Sequence, residues 1–367
     1  MNPLLELHAL GQRIWLDNLS RTLLREGALQ KLIAEDGVAG VTSNPTIFFK
    51  AISDSPYYRD ELAALKRDAK LTAEQRYERL AVADIQAACD LLRPLFDNSG
   101  GEDGFVSLEV SPALAHDSAG TIAAGKRLKA AVSRDNLLIK VPATPAGVAA
   151  VETLIGAGCS VNVTLMFSLQ HVRDIAQAYR RGLQKWIAGG GDARRVKSVS
   201  SLFLSRVDTL VDKELEALGG GALALRGKSA IALAKLAYQE YRNIFNGAEF
   251  AALAARGARP QYLLWASTGA KNPAYRDVIY VESLIGPQTV NTLPDATLAA
   301  FRDHGRAQPT LESGITEAHQ QFDALARAGI DMRKVGEELQ TEGVALFEQS
   351  FTQLLGLMAP AAIMTAS

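Results

Sequence analysis

The hydrophobic and polar residues of this chain follow two alternating periods. Short runs in which apolar residues occupy every second position, bounded by polar residues, glycine or proline, predict β-strands. Eight such runs occur, at 13–18, 38–44, 105–110, 137–142, 160–166, 196–203, 262–267 and 288–293. Between most of them apolar residues recur at three- and four-residue spacing, which predicts amphipathic helices. These helical segments include 57–68, 73–95, 145–157, 168–188, 205–218 and 228–246.

Strands that alternate with helices predict a parallel α/β protein, and eight is the number of strands that closes a barrel. We therefore predict a (β/α)8 TIM barrel in a single domain over residues 1–367. The segment 45–104 has room for two or three helices where a minimal barrel unit needs one, and 294–359 adds helices after the last strand. The sequence leaves open whether these additions cover a functional site or form an interface.

Composition narrows the class of protein. The chain carries 39 Lys and Arg against 40 Asp and Glu, a formal net charge of -1, which provides no basic field for nucleic acid. The N-terminal sequence MNPLLELH lacks the features of a signal peptide, and no apolar run approaches the ~20 residues that a membrane span needs. Cys89 and Cys159 are isolated, which argues against a disulfide scaffold. We expect a soluble, cytoplasmic protein that binds neither nucleic acid nor membranes.

The sequence predicts no metal ion and no nucleotide cofactor. A catalytic zinc site typically shows histidines at helical spacing, as in H-E-x-x-H. No such pattern joins the five histidines, which are His8, His116, His171, His304 and His319. The glycine-rich patterns of dinucleotide sites and of ATP-binding loops are also missing from the sequence.

The predicted strands can be divided into an outward and an inward face, because successive side chains of a strand point to opposite sides. In 137–142 the apolar residues at 137, 139 and 141 face the helices, so Lys140 points into the barrel. The same parity turns inward Asp17, Asn44, Glu109, Asn162, Thr164, Ser201 and Ser267. Several of these residues come late in their strands, at the C-terminal face where barrel active sites are built.

An inward lysine suits Schiff-base catalysis. An enclosed, partly dry site disfavours the charged form of an amine, which leaves some neutral amine to attack a carbonyl. The alternative is a purely structural ion pair between Lys140 and Glu109. The convergence of Asp17, Asn162 and Thr164 on the same end favours the catalytic interpretation, because a lone ion pair needs none of them.

Two further cations are predicted at the same face. Arg206 follows the strand at 196–203, and Lys271 follows the strand at 262–267. Each could be an ordinary solvated surface charge, but their positions in adjacent loops after neighbouring strands suggest a phosphate-binding pair.

At these same residues the sequence resembles the transaldolase family, in its longer bacterial type, over nearly the whole chain. The most specific matches are GVTSNPTIF at 40–48, LIKVPAT at 138–144, NVTLMF at 162–167 and LWASTGAKNP at 264–273. The resemblance implies a metal-free transfer of a three-carbon dihydroxyacetone unit through a lysine Schiff base, in the pentose phosphate pathway. The implied reaction converts sedoheptulose 7-phosphate and glyceraldehyde 3-phosphate reversibly into erythrose 4-phosphate and fructose 6-phosphate.

The resemblance also implies roles for individual residues. Lys140 matches the lysine that forms the imine, and Asp17 matches the aspartate that exchanges a proton with the C4 hydroxyl. Glu109 and Thr164 match the pair that positions a water for proton transfer. The groups that hold the donor's hydroxyls and the intermediate match Asn44, Asn162 and Ser201. Arg206 matches a phosphate-binding arginine, whereas Ser267 is followed by no arginine, which leaves Lys271 as the nearest second cation.

Two other functions remain open at this point. A fructose 6-phosphate aldolase shares the barrel and the lysine but releases the three-carbon ketone. Such relatives have a glutamine in place of Glu109 and a tyrosine in place of Phe203, so both positions favour transfer. A barrel that only binds phosphosugars or a partner is the second alternative, although it would not need Lys140, Asp17 and Glu109 together. The expected partners are sugar phosphates, and the assembly is a monomer or a homodimer.

Overall fold

The computed structural model describes residues 2–360 and contains a closed barrel of parallel strands. Each strand pairs with its neighbours in sequence, and the first strand pairs with the last. The strands are β1 (Gln12–Leu16), β2 (Val38–Val41), β3 (Phe105–Glu109), β4 (Leu137–Pro142), β5 (Val161–Met166), β6 (Ser198–Phe203), β7 (Tyr262–Ala266) and β8 (Thr289–Leu293). The predicted (β/α)8 TIM barrel is thereby confirmed.

Helices surround the barrel and follow its strands. They are α1 (Pro3–Ala9), α2 (Arg21–Arg25), α3 (Ala28–Asp36), α4 (Pro45–Asp54), α5 (Arg59–Arg67), α6 (Ala73–Asn98), α7 (Ser118–Val132), α8 (Pro145–Gly156), α9 (Leu169–Ala188), α10 (Ser205–Leu218), α11 (Ser229–Phe245), α12 (Ala248–Ala254), α13 (Ile279–Glu282), α14 (Asp295–His304), α15 (Ile315–Arg327) and α16 (Met332–Leu357). No described helix is both long and apolar enough to span a membrane.

The predicted helices agree with the structure to within a few residues. Several begin where the sequence provides a side-chain cap: Thr72, Thr144 and Ser168 each accept a hydrogen bond from a backbone N–H in the first turn of the helix that follows. The segment 45–104 contains α4, α5 and α6, and the segment 294–359 contains α14, α15 and α16. Residues 1 and 361–367 of the predicted domain lie outside the described residues, and its single-domain organisation stays a prediction.

Four strands end earlier than predicted, and one of them is β3, which stops at Glu109 instead of residue 110. β1 stops at Leu16 and β7 at Ala266, so Asp17 and Ser267 each lie one residue beyond a strand. The backbone leaves the extended conformation at Ser267, where φ is 54°. β2 stops at Val41, and Asn44 instead caps α4 through its side-chain oxygen. These residues are therefore positioned by the loops that follow the strands, and not by the sheet itself.

Inside the barrel, aromatic rings pack so closely against β2 that position 40 has room only for glycine. Trp15 and Phe105 are both 2% exposed, and their ring centroids lie 6.4 Å apart. A β-carbon at Gly40 would lie 2.6 Å from the Trp15 ring and 2.8 Å from the Phe105 carbonyl oxygen. Because neither the enclosed indole nor the strand backbone has room to move, the absence of a side chain at Gly40 is a packing requirement.

Substitution Gly40→Ala is expected to destabilise the barrel. Forcing a methyl group into this contact should lower the free energy of unfolding by about 1–3 kcal/mol, as overpacking of a close-packed interior does. Equilibrium unfolding in urea measures the effect. Gly356→Ala in α16 is the matched control, because no atom lies within 4 Å of a β-carbon there. A Gly40→Ala protein that unfolds at the same urea concentration as the unmodified protein would contradict this expectation.

Candidate active site

A cavity of about 310 Å³ opens at the C-terminal ends of the strands. It is lined by nine of the residues predicted from the sequence, namely Asp17, Asn44, Lys140, Thr164, Ser201, Phe203, Arg206, Ser267 and Lys271. Glu109 and Asn162 do not line it but are in contact with residues that do. Two larger hollows, of about 420 and 500 Å³, lie beside α9, and neither is lined by a lysine. The chemistry expected of a Schiff-base enzyme is therefore concentrated in the barrel mouth.

Lys140 lies in this cavity with its amine almost shielded from solvent. Its side chain is 5% exposed, and its Nζ donates to the Ser43 carbonyl oxygen at 3.0 Å. Nζ also lies 3.4 Å from Glu109 Oε2. The sheet register explains the arrangement, since Lys140 of β4 pairs with Glu109 of β3 on one side and with Asn162 of β5 on the other. The predicted inward orientation of all three side chains is consistent with these contacts.

Glu109 is a carboxyl group whose protonation changes near neutral pH. Burial raises the pKa of Glu109 to about 7, although the positive charge of Lys140 opposes the rise. The nearby Asp17 carboxylate also raises it, to a smaller extent. A group with such a pKa can both accept and return a proton at neutral pH. The ion pair with Lys140, which was the structural alternative, is present, but it is accompanied by the other polar groups of the cavity.

Asp17 lines the cavity, and its carboxylate accepts a hydrogen bond from a neighbouring threonine. Its Oδ1 accepts from Thr42 Oγ1 at 2.7 Å, and the hydroxyls of Thr42 and Thr292 lie 2.6 Å apart. Burial raises the pKa of Asp17, while the charge of Lys140 and the Thr42 hydrogen bond act in the opposite direction. This surrounding makes the protonated form more accessible than in an exposed aspartate, which suits a residue that takes up and releases a proton during a reaction.

A layer of polar side chains extends from β3 to β6. Asn162 Nδ2 donates to Ser107 Oγ at 3.0 Å, and Ser201 Oγ donates to Asn162 Oδ1 at 2.7 Å. Thr164 differs from them, because its buried Oγ1 has no hydrogen-bond partner among the described residues. A buried hydroxyl without a partner is unfavourable, so this atom is available for a water or a substrate group in the cavity.

The two predicted cations lie on the same cavity but in different settings. The Arg206 guanidinium lies 5.5 Å from the centroid of the Phe203 ring, and its buried Nη1 has no hydrogen-bond partner among residues 2–360. Burial lowers the pKa of Arg206, and an anion would compensate this cost. Lys271 is exposed at the rim. Arg206 was predicted in a loop but lies in the first turn of α10, whereas Lys271 lies in the loop after β7. The two segments meet where the hydroxyls of Ser205 and Ser267 lie 2.8 Å apart.

Several lining residues were missed from the sequence. Thr42 lies in the GVTSNPTIF segment and Thr292 within β8, so the positions of both near strand ends are the signal that could have identified them. Thr46 and Ile47 belong to the first turn of α4. Phe347 comes from α16, far along the chain, and no local signal marks it as part of the site.

Comparison with known proteins places these features in a family context. Residues 14–358 match the family model described as Transaldolase/Fructose-6-phosphate aldolase. A protein named Transaldolase from Thiobacillus denitrificans is 57% identical over 356 residues, which cover 97% of this chain and 99% of the relative. One from Neisseria gonorrhoeae is 50% identical, with coverages of 97% and 99%. Transaldolase 1 from Streptomyces coelicolor is 47% identical, with coverages of 94% and 91%.

Proposed function

The chain belongs to the transaldolase/fructose-6-phosphate aldolase family, and on this premise we propose that it acts as a transaldolase on sugar phosphates. It is an enzyme that transfers aldehyde or ketone residues. The specific reaction we propose joins sedoheptulose 7-phosphate and glyceraldehyde 3-phosphate to erythrose 4-phosphate and fructose 6-phosphate, in either direction. Such a reaction belongs to the pentose phosphate pathway of the cytoplasm. We further expect a monomer or a homodimer.

The first half of the proposed reaction takes the donor apart. The neutral amine of Lys140 attacks the C2 carbonyl of the ketose, and loss of water gives an imine. Asp17 then removes the proton of the C4 hydroxyl, the C3–C4 bond breaks, and an aldehyde departs. The electrons of that bond move into the protonated imine, which leaves an enamine of dihydroxyacetone on Lys140. A protonated imine is a far better electron acceptor than the original ketone, which is why the lysine is needed.

The second half reverses these steps with a different aldehyde. The enamine carbon attacks the acceptor carbonyl, and Asp17 returns its proton to the new hydroxyl. Water then hydrolyses the imine and frees the product ketose. The unpartnered Thr164 hydroxyl and the Glu109 carboxyl, with its pKa of about 7, support a role in holding a water and moving its protons. Asn44, Asn162 and Ser201 are proposed to hold the hydroxyls of the three-carbon unit.

Arg206 is proposed to bind the substrate phosphate, with Lys271 as a second cation. The buried Nη1 of Arg206 supports this assignment, because it has no hydrogen-bond partner among the described residues and a phosphate oxygen could accept from it. The charge of Glu342 offsets only part of the effect of burial on this guanidinium. Lys271 offers a point charge without the two-pronged geometry of a second arginine. Its exposed position at the rim is compatible with a phosphate that enters last and remains partly solvated.

The observation that carries the proposal is the shielded Lys140 amine within 3.4 Å of Glu109, in the cavity that Asp17 also lines. The test is a transfer assay with fructose 6-phosphate as donor and erythrose 4-phosphate as acceptor, in which sedoheptulose 7-phosphate and free dihydroxyacetone are both quantified. A transaldolase gives mainly the seven-carbon product. Free dihydroxyacetone at the same yield with and without acceptor would instead indicate an aldolase, and no reaction would indicate a binding protein.

Phe203 is expected to favour transfer over release. Its ring packs against Phe167, with centroids 5.3 Å apart, and presents an apolar surface to the cavity. In Phe203→Tyr a hydroxyl enters this surface, where it can hold a water and deliver a proton to the enamine. We expect free dihydroxyacetone formation to rise by about ten-fold, on the scale of one catalytic hydrogen bond.

The comparison for this variant is Phe167→Tyr, which adds the same hydroxyl to a ring that does not line the cavity. Both proteins are assayed for free dihydroxyacetone from fructose 6-phosphate without acceptor. If Phe203→Tyr gives no more free dihydroxyacetone than Phe167→Tyr, the expectation that Phe203 favours transfer over release is wrong.

A further inference from the structure

One face of α16 lies across the C-terminal end of the barrel. Along this face, at spacings of four, three and four residues, lie Gly336, Gln340, Gly343 and Phe347. Residues so spaced share one side of a helix. A β-carbon at Gly336 would lie 2.6 Å from Ser168 Cβ, and one at Gly343 would lie 2.9 Å from Leu165 Cδ2. The two glycines therefore allow the α16 backbone to approach the end of β5 closely.

Gln340 connects this face of α16 by hydrogen bonds to the strands that carry Lys140 and Thr164. Its Nε2 donates to the Ala143 carbonyl oxygen at 3.0 Å and to the Leu165 carbonyl oxygen at 3.1 Å. Ala143 directly follows β4, the strand of Lys140, and Leu165 directly follows Thr164 in β5. Leu165 has φ of 58°, a conformation that residues other than glycine seldom adopt. The helix thus supports the backbone of the strand that carries the amine and of its neighbour β5.

Phe347 is the residue through which α16 reaches the cavity. Its ring lines the cavity and is 5% exposed, and the Lys140 Nζ lies 5.9 Å from the ring centroid. The side chain offers no hydrogen-bonding group, so it occupies volume beside the amine that water would otherwise fill. The exposed Leu346, one residue earlier, points away from this site and is 48% exposed.

We propose that Phe347 is a further specificity-determining residue, which limits access of water to the enamine on Lys140 and thereby favours transfer to an aldehyde over release of the three-carbon ketone. This inference rests on the proposed function, since it concerns an intermediate of that reaction. Gln340, Gly336 and Gly343 are positioning residues in this arrangement, because they hold α16 where the Phe347 ring covers the amine.

The competing release consumes one water and transfers no electrons to any other molecule. The enamine carbon takes a proton from water, which gives an iminium ion and hydroxide. Hydroxide adds to the carbon of the C=N bond, and cleavage of the C–N bond releases dihydroxyacetone and the free amine of Lys140. The first of these steps needs a water near the enamine carbon, and an apolar ring beside the amine reduces the number of waters that can reach it.

The test compares Phe347→Ala and Phe347→Leu with Leu346→Ala, a control on the same turn of α16. Each protein receives fructose 6-phosphate and erythrose 4-phosphate, and the yield of free dihydroxyacetone is divided by the yield of sedoheptulose 7-phosphate. We expect this ratio to rise about ten-fold in Phe347→Ala and less in Phe347→Leu, and to stay within about two-fold in the control. A loss of overall stability alone would lower both yields without changing their ratio.

An unchanged ratio in a folded Phe347→Ala protein would overturn the inference. If that protein does not fold, the smaller change in Phe347→Leu decides, and a ratio equal to that of Leu346→Ala overturns the inference in the same way. The proposed function fails separately, and the inference with it, if the unmodified protein neither transfers the three-carbon unit nor forms a borohydride-trapped adduct on Lys140.

Discussion

Replacement of Lys140 with alanine is expected to abolish the covalent intermediate and to reduce sugar transfer by at least about a thousand-fold, because the nucleophile of the reaction is removed. The protein is incubated with fructose 6-phosphate and reduced with borohydride, and the modified residue is located by peptide mass spectrometry. The unmodified enzyme should carry a reduced three-carbon adduct on Lys140. The variant should carry none, while its fold is retained.

The chain provides an internal control for this experiment in Lys197. This second buried lysine precedes β6 at the opposite end of the barrel, where its Nζ lies 2.7 Å from Glu102 Oε2. Burial lowers the pKa of Lys197 to about 8, so a buried amine of lowered pKa also exists outside the cavity. Labelling that depended only on a neutral amine would modify Lys197 as well. An adduct on Lys197 in place of Lys140, or one that persists in Lys140→Ala, would exclude Lys140 as the nucleophile.

Asp17→Asn is expected to lower the rate of transfer by about 10²–10⁴-fold, the usual contribution of a general acid or base. Asparagine keeps the size of the side chain and can still meet Thr42, but it cannot exchange a proton with the C4 hydroxyl. Dihydroxyacetone requires no C–C cleavage, so it should still be trapped on Lys140 in this variant. The transfer rate reports on C–C cleavage, and trapping of dihydroxyacetone reports on imine formation. A general loss of structure would lower both, whereas loss of the Asp17 carboxylate should lower only the first.

Asp295→Asn is the matched control for Asp17→Asn. The Asp295 carboxylate is close enough to contribute to the raised pKa of Asp17, and it accepts a hydrogen bond from Asn18 at 2.8 Å. It does not line the cavity, so its neutralisation should change the transfer rate by less than about three-fold, as expected of an exposed charge. If Asp17→Asn kept a tenth or more of the activity, or if both variants lost it alike, Asp17 could not be the proton-transfer residue.

The barrel could be predicted because its signals are local. Alternation with a period of two, which predicts strands, and spacing of three to four residues, which predicts helices, are both properties of a few neighbouring residues. The alternation identified all eight strands. The same alternation turned Lys140, Glu109 and Asn162 inward, since side-chain direction in a strand depends only on the parity of the position. Motif resemblance added the expected roles of these residues, which strand parity alone does not supply.

The strand ends show where local signals stop being sufficient. Asp17 and Ser267 were predicted inside strands, but each lies just beyond one. A β-strand ends where the backbone leaves the extended conformation, as it does at Ser267. The sequence of a run rich in β-forming residues does not indicate which residue that will be. The inward parity still indicated the cavity, which both residues line.

The barrel, its inward lysine and the groups beside it were predictable, because each depends on the residue pattern of one short segment. The residues that cover the site depend on the packing of distant segments against one another. Phe347 lies in the same amphipathic pattern as any core-facing residue of α16, and its approach to Lys140 depends on Gln340 and on two glycines that meet the end of β5. Contacts between segments so distant in sequence arise from the packing of whole elements, and a single sequence carries no local signal for them.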